Sequence, residues 1–190
     1  MSLKTVVKVS HLSNLSDARY CAGMGVDLLG FRAIEGDPNY MPAAVFQDIR
    51  GWIAGPGIVA EIYGVQSEEE IMRIKETYAP DYFELTQEEY AKFGHFLPLP
   101  CIVTLTSNQP LVQPQGNADV AWLIASEEKH VEAGKTSGVP ILFSLKDAAE
   151  VDDALNAGYN GIVIPGPREA RPGITNTDAL ADILEALEED

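Results

Sequence analysis

Polar and ionisable residues follow several short apolar runs of this sequence. Ser10 and His11 come directly after Val6-Val7-Lys8-Val9, and Glu84 lies within the run 82–85. Imidazole titrates close to neutral pH, with an unperturbed pKa of about 6.5, and a suitably placed carboxyl group donates or accepts a proton. These residue types predict proton-transfer chemistry, with Ser10, His11 and Glu84 as the candidate catalytic residues.

Runs typical of strands alternate with helical patterns along the chain. The sequence predicts strands at 5–10, 26–32, 58–63, 81–85, 101–105, 119–124, 140–143 and 161–164. It predicts helices at 14–23, 42–53, 87–93, 126–133, 146–156 and 176–187. A further helix is predicted after Ser67, because Ser67 and Glu70 form a capping-box pattern. The polar segment 107–116 is predicted to replace one helix by a loop.

This alternation predicts parallel strands joined by helical crossovers. About eight such units indicate a single (β/α)8 barrel over residues 1–190, slightly shorter than most barrels of this class. A doubly wound sheet is the alternative, but no Gly-x-Gly-x-x-Gly motif follows the first strand. A barrel carries its site at the carboxyl ends of its strands. At those ends the sequence offers Ser10, His11, Arg32, Tyr63, Glu84, Thr86, Thr104, Thr106, Ala125, Ser126, Ser144, Gly166 and Arg168.

Composition excludes several functional classes. The net charge of −16 and the lack of a basic patch argue against a nucleic-acid partner. No apolar run reaches the roughly 18 residues of a membrane span, and no signal peptide is predicted. Cys21 and Cys101 do not form a metal-binding pair, which predicts reduced thiols in a cytoplasmic protein without metal or cofactor. We expect a monomer or a homodimer.

The opening of the chain resembles that of the phosphoribosylanthranilate isomerase family of tryptophan biosynthesis. Members of that family begin Lys-(Ile/Val)-Cys-Gly-(Ile/Leu)-(Thr/Ser)-Asn-x-x-Asp-Ala and continue to (Ala/Val)-Asp-x-x-Gly-Phe. The matching residues here are Lys8, Val9, Leu12, Ser13, Asn14, Asp17, Ala18, Gly25, Asp27, Gly30 and Phe31. The resemblance implies a ribulose-phosphate-binding type of (β/α)8 barrel and a small phosphorylated partner molecule.

The resemblance also implies a reaction, the Amadori rearrangement of a phosphorylated aminoaldose to an aminoketose. In the family a Cys after the first strand is the base, and an Asp in a Leu-Leu-Asp-like run after the sixth strand is the acid. Here Ser10 stands at the position of the Cys and Ala125 at that of the Asp. An unassisted serine is too weak a base near pH 7, and alanine transfers no proton.

Ligand-binding residues are implied by the same resemblance. The family binds phosphate with a Gly-Gly pair after the seventh strand and a turn after the eighth. Ser144, Gly166 and Arg168 are the predicted phosphate-binding residues here, and Leu145 is predicted to crowd the phosphate.

The family's Ser-Pro-Arg-Tyr-like loop, which faces the anthranilate end of the substrate, reads Asp37-Pro38-Asn39-Tyr40 in this chain. The cation of that loop is lost. Arg32 and Asn39 are therefore the predicted substrate-binding residues.

Lys8 shares one face of the first strand with Ser10, so both side chains are predicted to point into the barrel. A buried ammonium group requires a counter-charge. We expect Lys8 to pair with Glu84 or Glu61.

Three functions remain open from the sequence. The first is a barrel that binds a small phosphorylated ligand but has lost the parent acid–base pair. The second is a working isomerase that uses His11 and Glu84 in substitute roles. The third is a non-catalytic interaction scaffold, which a large exposed apolar patch would favour.

Overall fold

The computed structural model describes residues 2–107, 119–167, 169–171, 174–175 and 178–189. Eight parallel strands form a closed barrel in which each strand pairs with the next in sequence and the last pairs with the first. These strands are β1 (Val6–Ser10), β2 (Leu28–Arg32), β3 (Gly57–Glu61), β4 (Tyr82–Thr86), β5 (Cys101–Thr104), β6 (Val120–Ala125), β7 (Ile141–Ser144) and β8 (Gly161–Pro165). The predicted (β/α)8 barrel is confirmed. A small antiparallel pair, β9 (Glu169–Arg171) and β10 (Ile174–Thr175), follows β8.

Within the described residues the chain forms seven α-helices. They are α1 (Leu15–Gly23), α2 (Ala43–Arg50), α3 (Glu68–Tyr78), α4 (Gln87–Phe93), α5 (Glu128–Lys135), α6 (Val151–Asn156) and α7 (Asp178–Ala186). None of the described helices combines the length and apolar character that a membrane crossing requires. From residue 108 onward, the segment predicted to be a loop lies outside the described residues.

Side-chain caps explain where several helices begin. The Asn14 side chain accepts a hydrogen bond from the backbone N–H of Asp17 at 2.9 Å, which confirms the predicted start of α1. Thr86 and Glu89 form a complete capping box at α4. The helix predicted from 146 starts later, because Asp147 caps a 3-10 turn, Ala148–Glu150, that precedes α6.

Apolar side chains form two separate cores. The larger core lies between the barrel and the helices, and it contains the outward-facing residues of the strands, such as Val7 and Val9. The smaller core fills the barrel with Leu28, Val59, Ile102, Ile124, Leu142 and Val163. Because strand residues alternate between the two cores, the parity of each residue decides whether it belongs to the helix layer or to the barrel interior.

A register shift between β5 and β6 changes that parity. Val120 pairs with Cys101 but Trp122 pairs with Ile102, so the ladder skips Ala121. Val120 accordingly packs on the outer core, whereas Trp122 packs on the inner one. A one-residue shift moves every later side chain to the opposite face. The shift therefore decides which residue at the end of β6 faces the site.

Candidate functional site

A cavity of about 160 Å³ opens at the carboxyl ends of the strands. Its lining consists of Ser10, His11, Tyr63, Glu84, Thr104, Ile124, Ser126, Ser144, Val163 and Pro165. A wider cavity of about 500 Å³ adjoins it and shares His11 and Pro165. The structure thus brings the predicted residues Ser10, His11, Glu84 and Ser144 together around one mouth, where barrels carry their ligand sites.

A buried ion cluster forms the floor of this mouth. The Nζ of Lys8 lies 2.9 Å from Oε1 of Glu61 and 2.6 Å from Oε2 of Glu84, and all three side chains are almost completely buried. The predicted pairing of Lys8 is confirmed, with both carboxylates as partners rather than one. Lys8 also donates a hydrogen bond to Oγ of Ser10 at 2.5 Å.

The charges of the cluster shift its pKa values in different directions. Burial opposes the charged form of Lys8, but Glu61 and Glu84 outweigh it and raise the pKa of Lys8. Burial also favours neutral Glu61, yet Lys8 and His11 hold the pKa of Glu61 below its usual range. Burial, together with repulsion from Glu61, raises the pKa of Glu84. Lys8 is therefore an ammonium group at neutral pH, and Glu84 retains a proton to higher pH than an ordinary glutamate.

Tyr63 extends the cluster on the side of Glu84. Its hydroxyl donates to Oε1 of Glu84 and lies 2.7 Å from Oγ1 of Thr104. Burial and the nearby carboxylates raise the pKa of Tyr63 well above its usual value, so the phenol stays protonated. Tyr63 and Thr104 are among the residues predicted at strand ends, but neither is a predicted site residue. The parity that Tyr63 shares with Glu61, two residues earlier, is the signal that would have pointed it into the barrel.

The lack of a side chain at Gly30 makes room for the cluster. A Cβ at this position would overlap Oε1 of Glu61 and would lie 2.8 Å from the Nζ of Lys8. We expect Gly30→Ala to destabilise the protein by about 1–3 kcal/mol, the usual cost of overpacking a core. Chemical unfolding measures this change. Gly23→Ala is the control, because a Cβ at Gly23 would meet nothing within 4 Å. Equal stabilities of the two variants would contradict the packing argument.

His11 occupies a strained position at the edge of the cavity. Its φ of 56° lies in the left-handed region, which a non-glycine residue rarely adopts. Its backbone N–H donates to Oε1 of Glu61 at 3.2 Å, and its ring Nε2 lies 3.4 Å from Oε2 of the same carboxylate. The side chain is 41% exposed and lines both cavities. His11 is thus the only imidazole that lines either cavity within the described residues.

Ala125 does not line the mouth, contrary to the prediction from its place at the end of a strand. Because of the register shift in β6, Ala125 is fully buried in the outer core, and Ile124 and Ser126 face the cavity. Ser126 therefore occupies the inward position at the end of β6. A serine hydroxyl is no better a proton donor near pH 7 than an alanine is, so the chemical conclusion about this position is unchanged.

Leu145 likewise does not crowd the mouth, contrary to the prediction. Its side chain is buried in the outer core, and its backbone N–H donates to the carbonyl of Val163 at 2.9 Å. Ser144, one residue earlier, faces the cavity.

Gly166 lies at the edge of the wider cavity, close to β1. Its N–H donates to the carbonyl of Ser10 at 2.7 Å, and a Cβ here would overlap that carbonyl oxygen. The close approach to β1 explains the glycine without a ligand. Arg168, the third predicted phosphate-binding residue, lies outside the described residues.

The two predicted substrate-binding residues lie in different environments. Arg32 is buried, forms an ion pair with Asp37, and donates to the carbonyl of Tyr63 at 3.2 Å. Its guanidinium lies 4.8 Å from the centre of the Tyr63 ring, and Arg32 lines neither cavity. The hydrogen bond from Arg32 holds the pKa of Asp37 below its usual range. Asn39 is exposed and lines the wider cavity.

Across the part of the chain that the structure describes, no group of three or more His, Cys, Asp or Glu side chains is arranged to hold a metal ion. The mouth thus combines hydroxyl, carboxyl and imidazole groups with the apolar side chains of Ile124, Val163 and Pro165 at the carboxyl ends of a (β/α)8 barrel.

Comparison with known proteins supports the fold. No protein-family model and no curated protein matches the sequence. Among solved structures, the phosphoribosylanthranilate isomerase from Thermus thermophilus superposes with a TM-score of 0.76 at 18% identity, covering 96% of this chain and 98% of that chain. The corresponding enzyme from Pyrococcus furiosus gives 0.71 at 11% identity, with the same coverage of both chains.

Two further solved structures share the fold. One is a phosphoribosylanthranilate isomerase in complex with reduced 1-(o-carboxyphenylamino)-1-deoxyribulose 5-phosphate, with a TM-score of 0.68 at 15% identity over 96% of this chain and 98% of that chain. The other is a phospho-2-dehydro-3-deoxyheptonate aldolase from Thermotoga maritima, with a TM-score of 0.68 at 12% identity over 96% of this chain and 68% of that chain. The resemblance to the isomerases is confirmed for the fold, and identities this low establish no activity.

Proposed function

We propose that this barrel binds a small phosphorylated molecule at its mouth and does not carry out the Amadori isomerisation at an enzymatic rate. The contact between Lys8 and Ser10 is the observation that supports the absence of isomerisation. The Nζ of Lys8 donates to Oγ of Ser10 at 2.5 Å, and two carboxylates keep that amine protonated. An ammonium group cannot take the proton of the serine hydroxyl, so Ser10 has no base beside it.

General acid catalysis is weakened as well as general base catalysis. The ring opening of an aminoaldose needs a proton near the ring oxygen, and Ser126 and Ile124 are the side chains that β6 offers to the cavity. Neither transfers a proton near pH 7. Loss of general acid or general base assistance lowers a rate by a factor of about 10²–10⁴ for each group.

The proposed phosphate ligand rests on two kinds of support. Ser144 presents its hydroxyl to the cavity at the end of β7, on the side where Gly166 borders the wider cavity. One structural neighbour, a phosphoribosylanthranilate isomerase, is in complex with a ribulose 5-phosphate derivative, and this supports a phosphorylated ligand for the present barrel. We assign phosphate contacts to Ser144, to the loop at Gly166 and to Arg168.

Ribose 5-phosphate and ribose test the phosphate assignment, because the two compounds share the sugar and differ in the phosphate. We expect ribose 5-phosphate to raise the melting temperature and to bind in titration calorimetry, whereas ribose does neither. Ser144→Ala is expected to weaken binding. Ser137→Ala, before the amino end of β7, serves as the matched control. Equal behaviour of the two compounds would contradict a phosphate site and would favour the scaffold alternative.

A second function is favoured by one observation. Glu84, with its raised pKa, and His11 both line the inner cavity, so an acid and a base of suitable chemistry face the same space. A working isomerase that uses these two residues would show an ordinary rate with phosphoribosylanthranilate and would lose it in His11→Ala. The rate assay described in the Discussion separates the two functions.

A further inference from the structure

The charges around the inner cavity point to the chemistry of the ligand group that enters it. We infer that the end of the ligand remote from its phosphate carries an ammonium group, which binds Glu84 at the cavity floor, and that a carboxylate at this end is rejected. This inference rests on the proposed function, because it assigns the second half of the same phosphorylated ligand.

The first observation is that Lys8 has no capacity left for a ligand. An ammonium group has three N–H donors, and the Nζ of Lys8 already lies within 2.9 Å of Glu61, Glu84 and Ser10. Lys8 therefore neutralises one of two carboxylates. The cluster keeps an excess of acidic groups beneath the cavity.

The second observation is an oxygen of Glu84 that can accept a further hydrogen bond. Glu84 is 2% exposed and lines the inner cavity. Its Oε1 accepts from Tyr63, and its Oε2 forms the 2.6 Å ion pair with Nζ of Lys8. A carboxylate oxygen has two lone pairs, so each oxygen keeps one lone pair after these contacts. Glu84 can therefore accept a further hydrogen bond from a donor on a ligand in the cavity.

The third observation is that the described lining offers no strong cation to an anionic group. Arg32 at the end of β2 is engaged by Asp37 and by the carbonyl of Tyr63, and it lines neither cavity. Among the described residues His11 is the one basic side chain that lines the space, and its ring already faces Glu61. A carboxylate would be desolvated beside Glu84 without a compensating charge, which is costly.

Hydroxyl groups complete the environment of an ammonium group. Besides Ser144, which is assigned to the phosphate, Ser10, Thr104 and Ser126 line the same cavity. Their oxygens can accept the remaining N–H donors of a primary ammonium group, while the carboxylate of Glu84 provides the opposite charge.

Three synthetic probes test the inference: 3-aminopropyl phosphate, 3-hydroxypropyl phosphate and 3-phosphooxypropanoate. All three join a phosphate through a short carbon chain to one terminal group, which is an ammonium, a hydroxyl or a carboxylate. In titration calorimetry at pH 7 we expect the ammonium probe to bind at least about tenfold more tightly than the carboxylate probe, with the hydroxyl probe between them. Glu84→Gln should remove most of this preference while it preserves the shape of the side chain.

Glu88→Gln is the matched control, because it makes the same change of charge on the exposed surface of α4. It should leave the preference unchanged. A carboxylate probe that binds as well as the ammonium probe overturns the inference and leaves the phosphate assignment standing. An ammonium preference that persists in Glu84→Gln also overturns the inference. If none of the probes binds, both the inference and the proposed phosphate ligand are wrong.

Discussion

Replacing Lys8 by methionine should lower the free energy of unfolding by about 3–5 kcal/mol at pH 8, because it leaves buried carboxylates without their cation. Lys8 contacts both Glu61 and Glu84, so its loss removes the counter-charge of two acids at once. Equilibrium unfolding in urea measures the change. Lys129→Met is the control, since Lys129 pairs with Glu127 on the surface, where both side chains are more than half exposed. We expect the control to match the native protein within error.

The loss of stability in Lys8→Met should be larger at pH 8 than at pH 5. Without Lys8, burial raises the folded-state pKa of Glu61 and Glu84 above that of the unfolded chain. The folded variant then binds more protons than the unfolded chain, so its stability rises as pH falls from 8 towards 5. In the native protein the pKa of Glu61 is lowered, so Glu61 is ionised in both states over this range and adds no pH dependence. The charge of Lys8 opposes the rise in the pKa of Glu84, so the dependence of the native protein is flatter than that of the variant.

A triple variant tests the same cluster when Lys8→Met alone does not fold. Lys8→Met combined with Glu61→Gln and Glu84→Gln removes all three charges and keeps similar volumes. Removing every charge of a buried ion cluster avoids the cost of leaving one charge unpaired, which is the main penalty of removing a single partner. We expect the triple variant to recover most of the loss. A single Lys8→Met variant as stable as the native protein from pH 5 to pH 8 would show that the cluster contributes nothing.

The native protein should convert phosphoribosylanthranilate at least about a thousandfold more slowly than a typical enzyme, because both proton-transfer groups are weakened. Ser10 accepts a hydrogen bond from an ammonium group, and Ser126 holds the inward position of β6. A fluorescence or absorbance assay of the purified protein with the synthetic substrate measures the rate. A kcat/KM in the ordinary range of roughly 10⁴–10⁸ M⁻¹s⁻¹ would contradict this prediction. It would establish the isomerase function, with His11 as the first residue to substitute.

Two substitutions should raise any residual activity. Ser10→Cys places a thiol beside the ammonium of Lys8, and a neighbouring cation lowers the pKa of a thiol towards neutrality. Ser126→Asp introduces a carboxyl group that faces the cavity. The combination should exceed either single change, because acid and base act in the same rearrangement.

Ala125→Asp is the control for Ser126→Asp, because it places the same carboxyl group on the opposite face of the chain at the end of β6. Its carboxyl group would be buried in the outer core, so we expect a loss of stability and no gain in rate. A gain in rate from Ala125→Asp and none from Ser126→Asp would show that the inward face of β6 has been assigned wrongly.

The sequence by itself determined the architecture and the inward orientation of Lys8. Alternating strands and helices in short, regular units leave few arrangements other than parallel strands, and the eighth strand closes the barrel on the first. The side chains of a strand alternate with a period of two, so the positions of Lys8 and Ser10 on β1 followed from counting. The need of a buried amine for a counter-charge then predicted Glu61 and Glu84, and the structure contains both contacts.

Only the tertiary structure decided which residues of the later strands face the site. In β6 the alternation of side chains cannot be followed from the start of the strand, because the ladder skips Ala121. As a result Ser126 faces the cavity and Ala125 faces the outer core. The role of Tyr63 depends on Glu84 and Thr104, which lie 21 and 41 residues away in sequence. Gly30 and Gly166 are required by side-chain and backbone atoms of neighbouring strands. Such contacts arise from the register between strands, and a local pattern of residue types carries no information about that register.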